Sequence, residues 1–333
     1  MSNDRAARGD AVAVVARDGG PLWQDLDAAV DRLPWRPSAR LVDAGLMIAR
    51  LRRILRRRRV QIVHVHGRML AIVANQAVRG LSTVVVEHVH NTFAATKIAR
   101  AVSFRSPYLI ACGTAVQRML VDDFARPPHS VRLIVNGVPD GGAQEPMPDA
   151  RRSRGLRLVS VGGLTEQKDP ARFLRVVDEL HHLDAIERAV WVGPGDVARW
   201  NAAAADRGLG GMAQFIGPVD VPRSHLDAAD VLLMTSRHEG LPLVALEALS
   251  AGRGVVLPDV GSCRDVFEVE PAAGVLYPPG QGDAVLARRL ADEADRGSPA
   301  AWGHAARQAY ERAFTLDVML ESVDRLYAEV LAR

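Results

Sequence analysis

Short apolar segments rich in Val, Ile and Leu alternate along the chain with longer segments of helical period, the pattern that builds a parallel sheet covered by helices on both faces. Strands are predicted at 12–16, 61–66, 83–87, 109–112 and 132–135 in the first half, and at 157–161, 190–192, 214–216, 231–234, 254–257 and 274–277 in the second. Helices between the later strands are punctuated. Pro170 opens a segment whose apolar residues Phe173, Leu174, Val176, Val177 and Leu180 follow the helical period, and a second helix enters at Pro242 and leaves at Gly252. The last segment, 316–331, carries one apolar face of Met319, Leu320, Val323, Leu326, Tyr327 and Val330. The predicted class is α/β.

Between the two sets of strands runs Pro139 to Arg154, with three prolines, two glycines, mixed charge and no period. It reads as an interdomain linker. A chain of 333 residues with 48% hydrophobic and 24% charged residues has material for two cores. The polar opening and the lack of any apolar run near about 20 residues predict neither a signal peptide nor a membrane span, hence a cytoplasmic protein. Cys112 and Cys263 stand far apart and form no CxxC, so they read as small buried hydrophobes rather than a disulfide or zinc knuckle. The net charge of +3 divides into +8 over residues 1–150 and −5 over 151–333, which points to different partners for the two halves. Only Lys97 and Lys168 are lysines among 42 basic residues.

The chemistry concentrates in residues 231–247. A buried strand ends at Thr235-Ser236, a short turn is predicted to expose Glu239 and Gly240, and a helix follows at Pro242. Polar residues thus collect at the carboxyl edge of a parallel sheet, where open α/β folds bind ligands. The amides of Leu243 and Val244 fall in the first helical turn and lack intrahelical acceptors, so they offer an anion site suited to phosphate. Glu247 lies roughly 7.5 Å along the helix from Pro242. A carboxylate there accepts hydrogen bonds from a vicinal diol such as ribose, and Glu239 is left to hold hydroxyls beyond the phosphates.

Glu239, seven intervening residues and Glu247, with Glu-Gly-Leu-Pro and a following Ala251-Gly252, resemble the EX7E element of the retaining glycosyltransferases of family 4. Four other stretches fall in that family's order. Asn136-Gly137-Val138 is similar to its domain junction, and the loop Val161 to Asp169 to its GRLxxxKG segment. Val192 to Asp196 is similar to VGxGP, and Phe215-Ile216-Gly217 to FxG.

The resemblance implies a GT-B fold: two Rossmann-like domains with a cleft between them. Residues 1–145 would bind the acceptor, 146–315 the nucleotide-sugar, and 316–333 would form a helix packing back on the N-terminal domain. It implies that Gly162, Gly163, Lys168, Gly217, Pro218, Val219, Glu239, Gly240, Leu241, Leu243, Val244 and Glu247 hold the donor. Lys168 would neutralise the diphosphate, Glu247 hold the ribose, Glu239 bind the transferred sugar, and the base rest near Gly217-Pro218-Val219. Gly163 stands where the family commonly has arginine, which removes one of two cations; the alternatives are substitution in space by Arg237 or another arginine, or weak donor affinity.

In the first half, His88 matches the strand-end histidine that the family turns toward the donor sugar, so the expected catalytic set is His88, Glu239 and Lys168. His90 is the alternative, and it is expected on the acceptor side together with His66, which precedes Gly67. The pairs His64/His66 and His88/His90 put imidazoles on one strand face, but no acid or cysteine accompanies them, and no metal is expected. Asp25-Leu26-Asp27 spells a DxD but reads as a solvated helix face. Arg50 to Arg59 places seven arginines around Leu51, Ile54 and Leu55, a helix basic enough for peripheral contact with the inner face of an anionic membrane. Without interleaved aromatics it does not suggest nucleic acid. Residues 12–23 look like the family's second strand and turn, so the N-terminal domain is expected to lack its first βα unit; alternatively Gly19-Gly20 is the glycine loop of a shortened domain.

The expected function is a metal-independent retaining hexosyltransferase moving a sugar from a UDP- or GDP-sugar to a cell-envelope glycan, a lipid-linked acceptor or a small metabolite. No cofactor is expected. The alternative is a non-catalytic or degenerate GT-B protein that only binds the sugar nucleotide. A dinucleotide oxidoreductase is set aside because no GxGxxG follows a strand.

Overall fold

The computed structural model describes residues 1–16, 21–35, 41–143 and 155–332. The Gly19-Gly20 loop and most of the linker, residues 144–154, lie outside the described residues. Twelve strands are numbered in chain order. They are β1 (Ala13–Ala16), β2 (Asp31–Pro34), β3 (Ile62–His66), β4 (Val84–Val89), β5 (Tyr108–Ala111), β6 (Val131–Leu133), β7 (Leu156–Val161), β8 (Ile186–Val192), β9 (Ala213–Ile216), β10 (Val231–Leu233), β11 (Gly254–Pro258) and β12 (Gly274–Tyr277). Each predicted strand is present to within a few residues. The helix Ser2–Ala7 inside the polar opening and β2, whose Asp31-Arg32-Leu33-Pro34 has no apolar run, are not among the predicted elements.

The chain divides into two compact units. The first comprises Met1–Glu87, Val102–Pro107 and Tyr327–Arg333. In it β1 pairs in parallel with β2, and β3 is the hydrogen-bonded neighbour of β4. Its core gathers Trp35, Leu51, Leu55, Val65, Ala71, Ala74, Ala77 and Val85. The basic segment is the C-terminal part of the helix Leu41–Arg58, and its apolar stripe is used inward, because Leu51 and Leu55 are buried in this core. Asp25-Leu26-Asp27 is not helical as expected. It lies in the turn after the short helix Pro21–Gln24, where Asp27 Oδ1 accepts from Ala29 N at 2.8 Å, a local bond that favours turns over helix interiors.

The second unit comprises His88–Ala101 and Tyr108–Leu326. Here β5 pairs in parallel with β6, and a six-stranded sheet runs β9-β8-β7-β10-β11-β12. All five of its pairings are parallel. In chain order that is 3-2-1-4-5-6, the doubly wound arrangement, and strand order reverses between β7 and β10. The sheet is covered on both faces, so its strands are continuous apolar runs: all five residues of β11 are buried.

The helix Pro170–His182 sits on β7 and β8 because Phe173, Leu174, Val176, Val177 and Leu180 all face the core. Phe173 meets Trp191 edge-on at 5.1 Å between ring centres, and Phe215 at 6.0 Å. Asp169 caps this helix by accepting from Arg172 N at 3.1 Å, with Pro170 in the first turn. The helix Leu316–Leu331 matches its predicted bounds. Cys112 and Cys263 are both buried thiols.

Candidate functional site

The switch point between β7 and β10 is where the two most informative loops emerge. After β7 the chain enters Gly162-Gly163 and reaches Lys168; after β10 it passes Thr235 and reaches Glu239. The loops are tied by backbone and side chain. Thr235 Oγ1 donates toward the carbonyls of Lys168 and Asp169, each at 3.0 Å. Arg237 N donates to Gln167 O at 2.8 Å, and Gln167 Nε2 donates to His238 O at 2.9 Å. These bonds bring Lys168 Nζ to 2.6 Å from Glu239 Oε1. The Glu239 side chain is 7% exposed and that of Lys168 23%.

Glycines make room for this contact. A Cβ on Gly162 would lie 3.4 Å from Lys168 Cε, so the lysine stem runs over the glycine. Trp191 Nε1 donates to Gly162 O at 2.7 Å and fixes the loop to β8. Contrary to the expectation of an exposed turn, Glu239 and Gly240 are both buried. The reason is close backbone packing: a Cβ on Gly240 would fall 2.0 Å from the His90 carbonyl, and one on Gly261 would fall 1.9 Å from Glu239 O. Ser262 N donates to Gly240 O at 2.8 Å.

Leu241 is buried, and its carbonyl accepts from Asn136 Nδ2 at 3.2 Å, so the Asn136-Gly137-Val138 junction braces the glutamate loop. Pro242 is the N-cap of the helix Leu243–Ser250, and the amides of Leu243 and Val244 fall in its first turn. Glu247, half-buried on that helix, has its carboxyl pushed above the ordinary range by burial, against the opposing pull of Arg223.

Gly217, Pro218 and Val219 follow the end of β9, two strands from β7. His88 lies within β4 and is buried, and its ring stacks on His90 at 4.1 Å between centres. His66 belongs to the first unit, at the end of β3, stacked on His64 at 4.6 Å. His64 Nδ1 is also 2.5 Å from the Tyr327 hydroxyl.

Gly163 admits a side chain: a Cβ there would meet Thr165 Cγ2 at 3.5 Å and Pro194 O at 3.7 Å, both ordinary contacts. Arg237 pairs through Nε with Asp169 Oδ2 at 3.1 Å and through Nη1 with the exposed Glu166 Oε1 at 2.8 Å. The sequence places Thr235 only as a strand end and does not single out Gly261 or Ser262. The Gly-Ser turn after a buried strand was the one available signal. Among the described residues no helix is long and apolar enough to cross a membrane.

The sequence pattern of Glycosyltransferase Family 4 matches residues 2–141, and that described as Glycosyl transferases group 1 matches residues 155–292. The chain is 28% identical over 186 residues to a D-inositol 3-phosphate glycosyltransferase of Geodermatophilus obscurus, covering 50% of this chain and 41% of that one. It spans about half the length of the curated relatives it matches. Its fold is similar to a glycosyltransferase from Rickettsia africae, with a TM-score of 0.84, 15% identity, and coverage of 99% of this chain and 93% of that one. It is also similar to Anabaena Alr3699/HepE in complex with UDP-glucose, with a TM-score of 0.79, 17% identity, and coverage of 97% and 93%. The two matched segments take in most of the sequence, and the fold is that of the GT-B proteins with two Rossmann-like domains: the chain belongs to the family 4, group 1 glycosyltransferases.

Proposed function

We propose that the chain is a retaining glycosyltransferase that takes a hexosyl group from a UDP- or GDP-sugar and passes it to a glycan, lipid-linked or small-metabolite acceptor without a divalent metal. The observation that carries this reading is the Lys168–Glu239 pair at the sheet's switch point, beside the first turn of the helix Leu243–Ser250. UDP is the first donor base to try, because the structurally similar Anabaena protein is described with UDP-glucose.

In this reading Lys168 turns from Glu239 to the diphosphate, and the amides of Leu243 and Val244 share its charge. Glu247 accepts from the ribose hydroxyls, and Glu239 holds hydroxyls of the transferred sugar. The backbone at Gly162, Gly163, Gly240 and Leu241 lines the donor, and Gly217-Pro218-Val219 lies along the base. His88 and His90 serve the sugar or the acceptor, and His66 the acceptor side. The diphosphate gains charge as the glycosidic bond breaks, and the ammonium, once moved from Glu239 on donor binding, stabilises it together with the helix amides. Those donors take the part a metal would otherwise play. Contact of Arg50 to Arg59 with anionic lipid, if the acceptor is membrane-borne, is electrostatic in this reading because Leu51 and Leu55 are buried.

A panel of UDP- and GDP-sugars tested by thermal shift, followed by a transfer assay with and without a chelator, checks the reading. Stabilisation by at least one sugar nucleotide and chelator-resistant transfer are expected. The absence of stabilisation by every donor would sink it. The second reading, a degenerate protein that binds sugar nucleotides without transferring them, draws on Gly163 and on the commitment of Arg237 to Asp169 and Glu166.

A further inference from the structure

A cavity of about 520 Å³ opens in the second unit, with Thr92, Phe93, Arg118, Asp122, Asp123 and His238 in its wall. It adjoins the switch-point loops. His238 directly precedes Glu239, and its carbonyl is held by Gln167, a neighbour of Lys168. Phe93 stands three residues beyond His90, whose carbonyl packs on Gly240. The wall thus reaches the residue before Glu239, although Glu239 and Lys168 are not themselves part of it.

The wall has a definite chemistry. Two carboxylates, Asp122 and Asp123, outnumber the single guanidinium of Arg118, and Arg118 also feels the charge of Asp265. A phosphate entering the cavity meets net repulsion. Hydroxyl or ammonium groups meet acceptors, since ionised carboxylates accept from up to four directions. Phe93, 36% exposed, adds an apolar ring against which the C–H face of a sugar packs. The cavity is open rather than enclosed, so a ligand seated in it keeps one side in solvent.

We infer that this cavity is the acceptor site, and that the acceptor end it takes is a neutral or amino sugar rather than a phosphorylated one. The inference rests on the glycosyltransferase reading for the identity of the second ligand, but its charge preference is testable alone. Methyl α-D-glucopyranoside, D-glucosamine, D-glucose 6-phosphate and myo-inositol 1-phosphate are titrated against the full chain by ligand-observed NMR, with and without UDP. UDP and GDP binding are measured separately by calorimetry.

The neutral or amino sugar should bind at least ten-fold more tightly than either phosphate. Asp122→Asn with Asp123→Asn should shrink that ratio at least ten-fold, and Phe93→Ala should weaken the unphosphorylated sugars, while UDP affinity stays at the wild-type value in both variants. Equal or tighter binding of a sugar phosphate, or no binding by either unphosphorylated sugar, overturns the inference. Failure of both UDP and GDP to bind overturns the functional reading instead, and leaves the sugar preference to be judged on its own titrations. Circular dichroism of each variant separates lost binding from lost folding.

Discussion

Lys168 and Glu239 stand 71 residues apart in sequence and 2.6 Å apart in space, each the other's counterion at the edge of the six-stranded sheet. A nucleotide diphosphate that recruits the ammonium must compete with this carboxylate. In the proposed reading the pair sets both the stability of the loops and the strength of diphosphate binding.

Removing the cation leaves a buried carboxylate alone. Lys168→Met should cost about 2–3 kcal/mol, below the value for a fully buried pair because the lysine retains some solvent. Urea denaturation measures it. Diphosphate binding should fall far more than nucleoside binding. Glu239→Gln should do the reverse and tighten UDP binding by about 1 kcal/mol, while transfer is lost, because the ammonium no longer has a charged competitor. Weaker UDP binding in Glu239→Gln would contradict the competition.

Gly163 has room for a side chain and no left-handed backbone to forbid one. Gly163→Arg should fold normally and strengthen UDP binding by about 1–2 kcal/mol through a charge-assisted contact. The gain should shrink in high salt. Calorimetry at two ionic strengths reads both effects, and an unchanged affinity would remove residue 163 from the diphosphate site.

Gly261 has φ of +55°, and a Cβ there would lie 1.9 Å from Glu239 O and 3.0 Å from Gly240 O. Backbone atoms cannot yield as side-chain tips do. Gly261→Ala should destabilise the protein by about 2–4 kcal/mol, the combined cost of left-handed strain and overpacking. Gly217→Ala, with nothing near its Cβ, is the control and should be close to neutral. Thermal melts of the two variants give the comparison.

Burial raises the Glu247 carboxyl above its ordinary range. Ribose hydroxyls donate to the carboxylate form, so nucleoside affinity should rise with pH through that raised midpoint and level off above it. Stability follows the opposite sign: this group contributes most below its unfolded pKa, and the contribution is lost as pH rises through the folded one. Uridine and guanosine titrations from pH 4 to 8 test the affinity curve, and Glu247→Gln should flatten it. A wild-type curve that is already flat would take Glu247 out of the ribose site.

Periodicity alone located the strands, because residues buried on both faces of a parallel sheet leave unbroken apolar runs such as Val231-Leu232-Leu233 and Val255-Val256-Leu257. The start of the helix at Pro242 was legible for a similar local reason, since proline suits the entry of a helix and no interior position. Where tertiary contact outweighed local pattern, the reading erred. Asp31–Pro34 is a strand because β1 lies beside it, with no apolar run of its own. Asp25 and Asp27 take a turn in place of the helix their neighbourhood suggested.

The sequence by itself determined an α/β chain, the order of its elements, and the residue types that gather at the carboxyl edge of a parallel sheet. Those follow from local rules of burial, capping and strand period. Only the tertiary structure decided that Glu239 is buried and bound to Lys168, that Arg237 pairs with Asp169 and Glu166, and that a cavity with two carboxylates in its wall includes His238. Side-chain partners 70 residues apart are chosen by loop packing, through Thr235, Gly240 and Gly261, and no spacing along the chain encodes that choice.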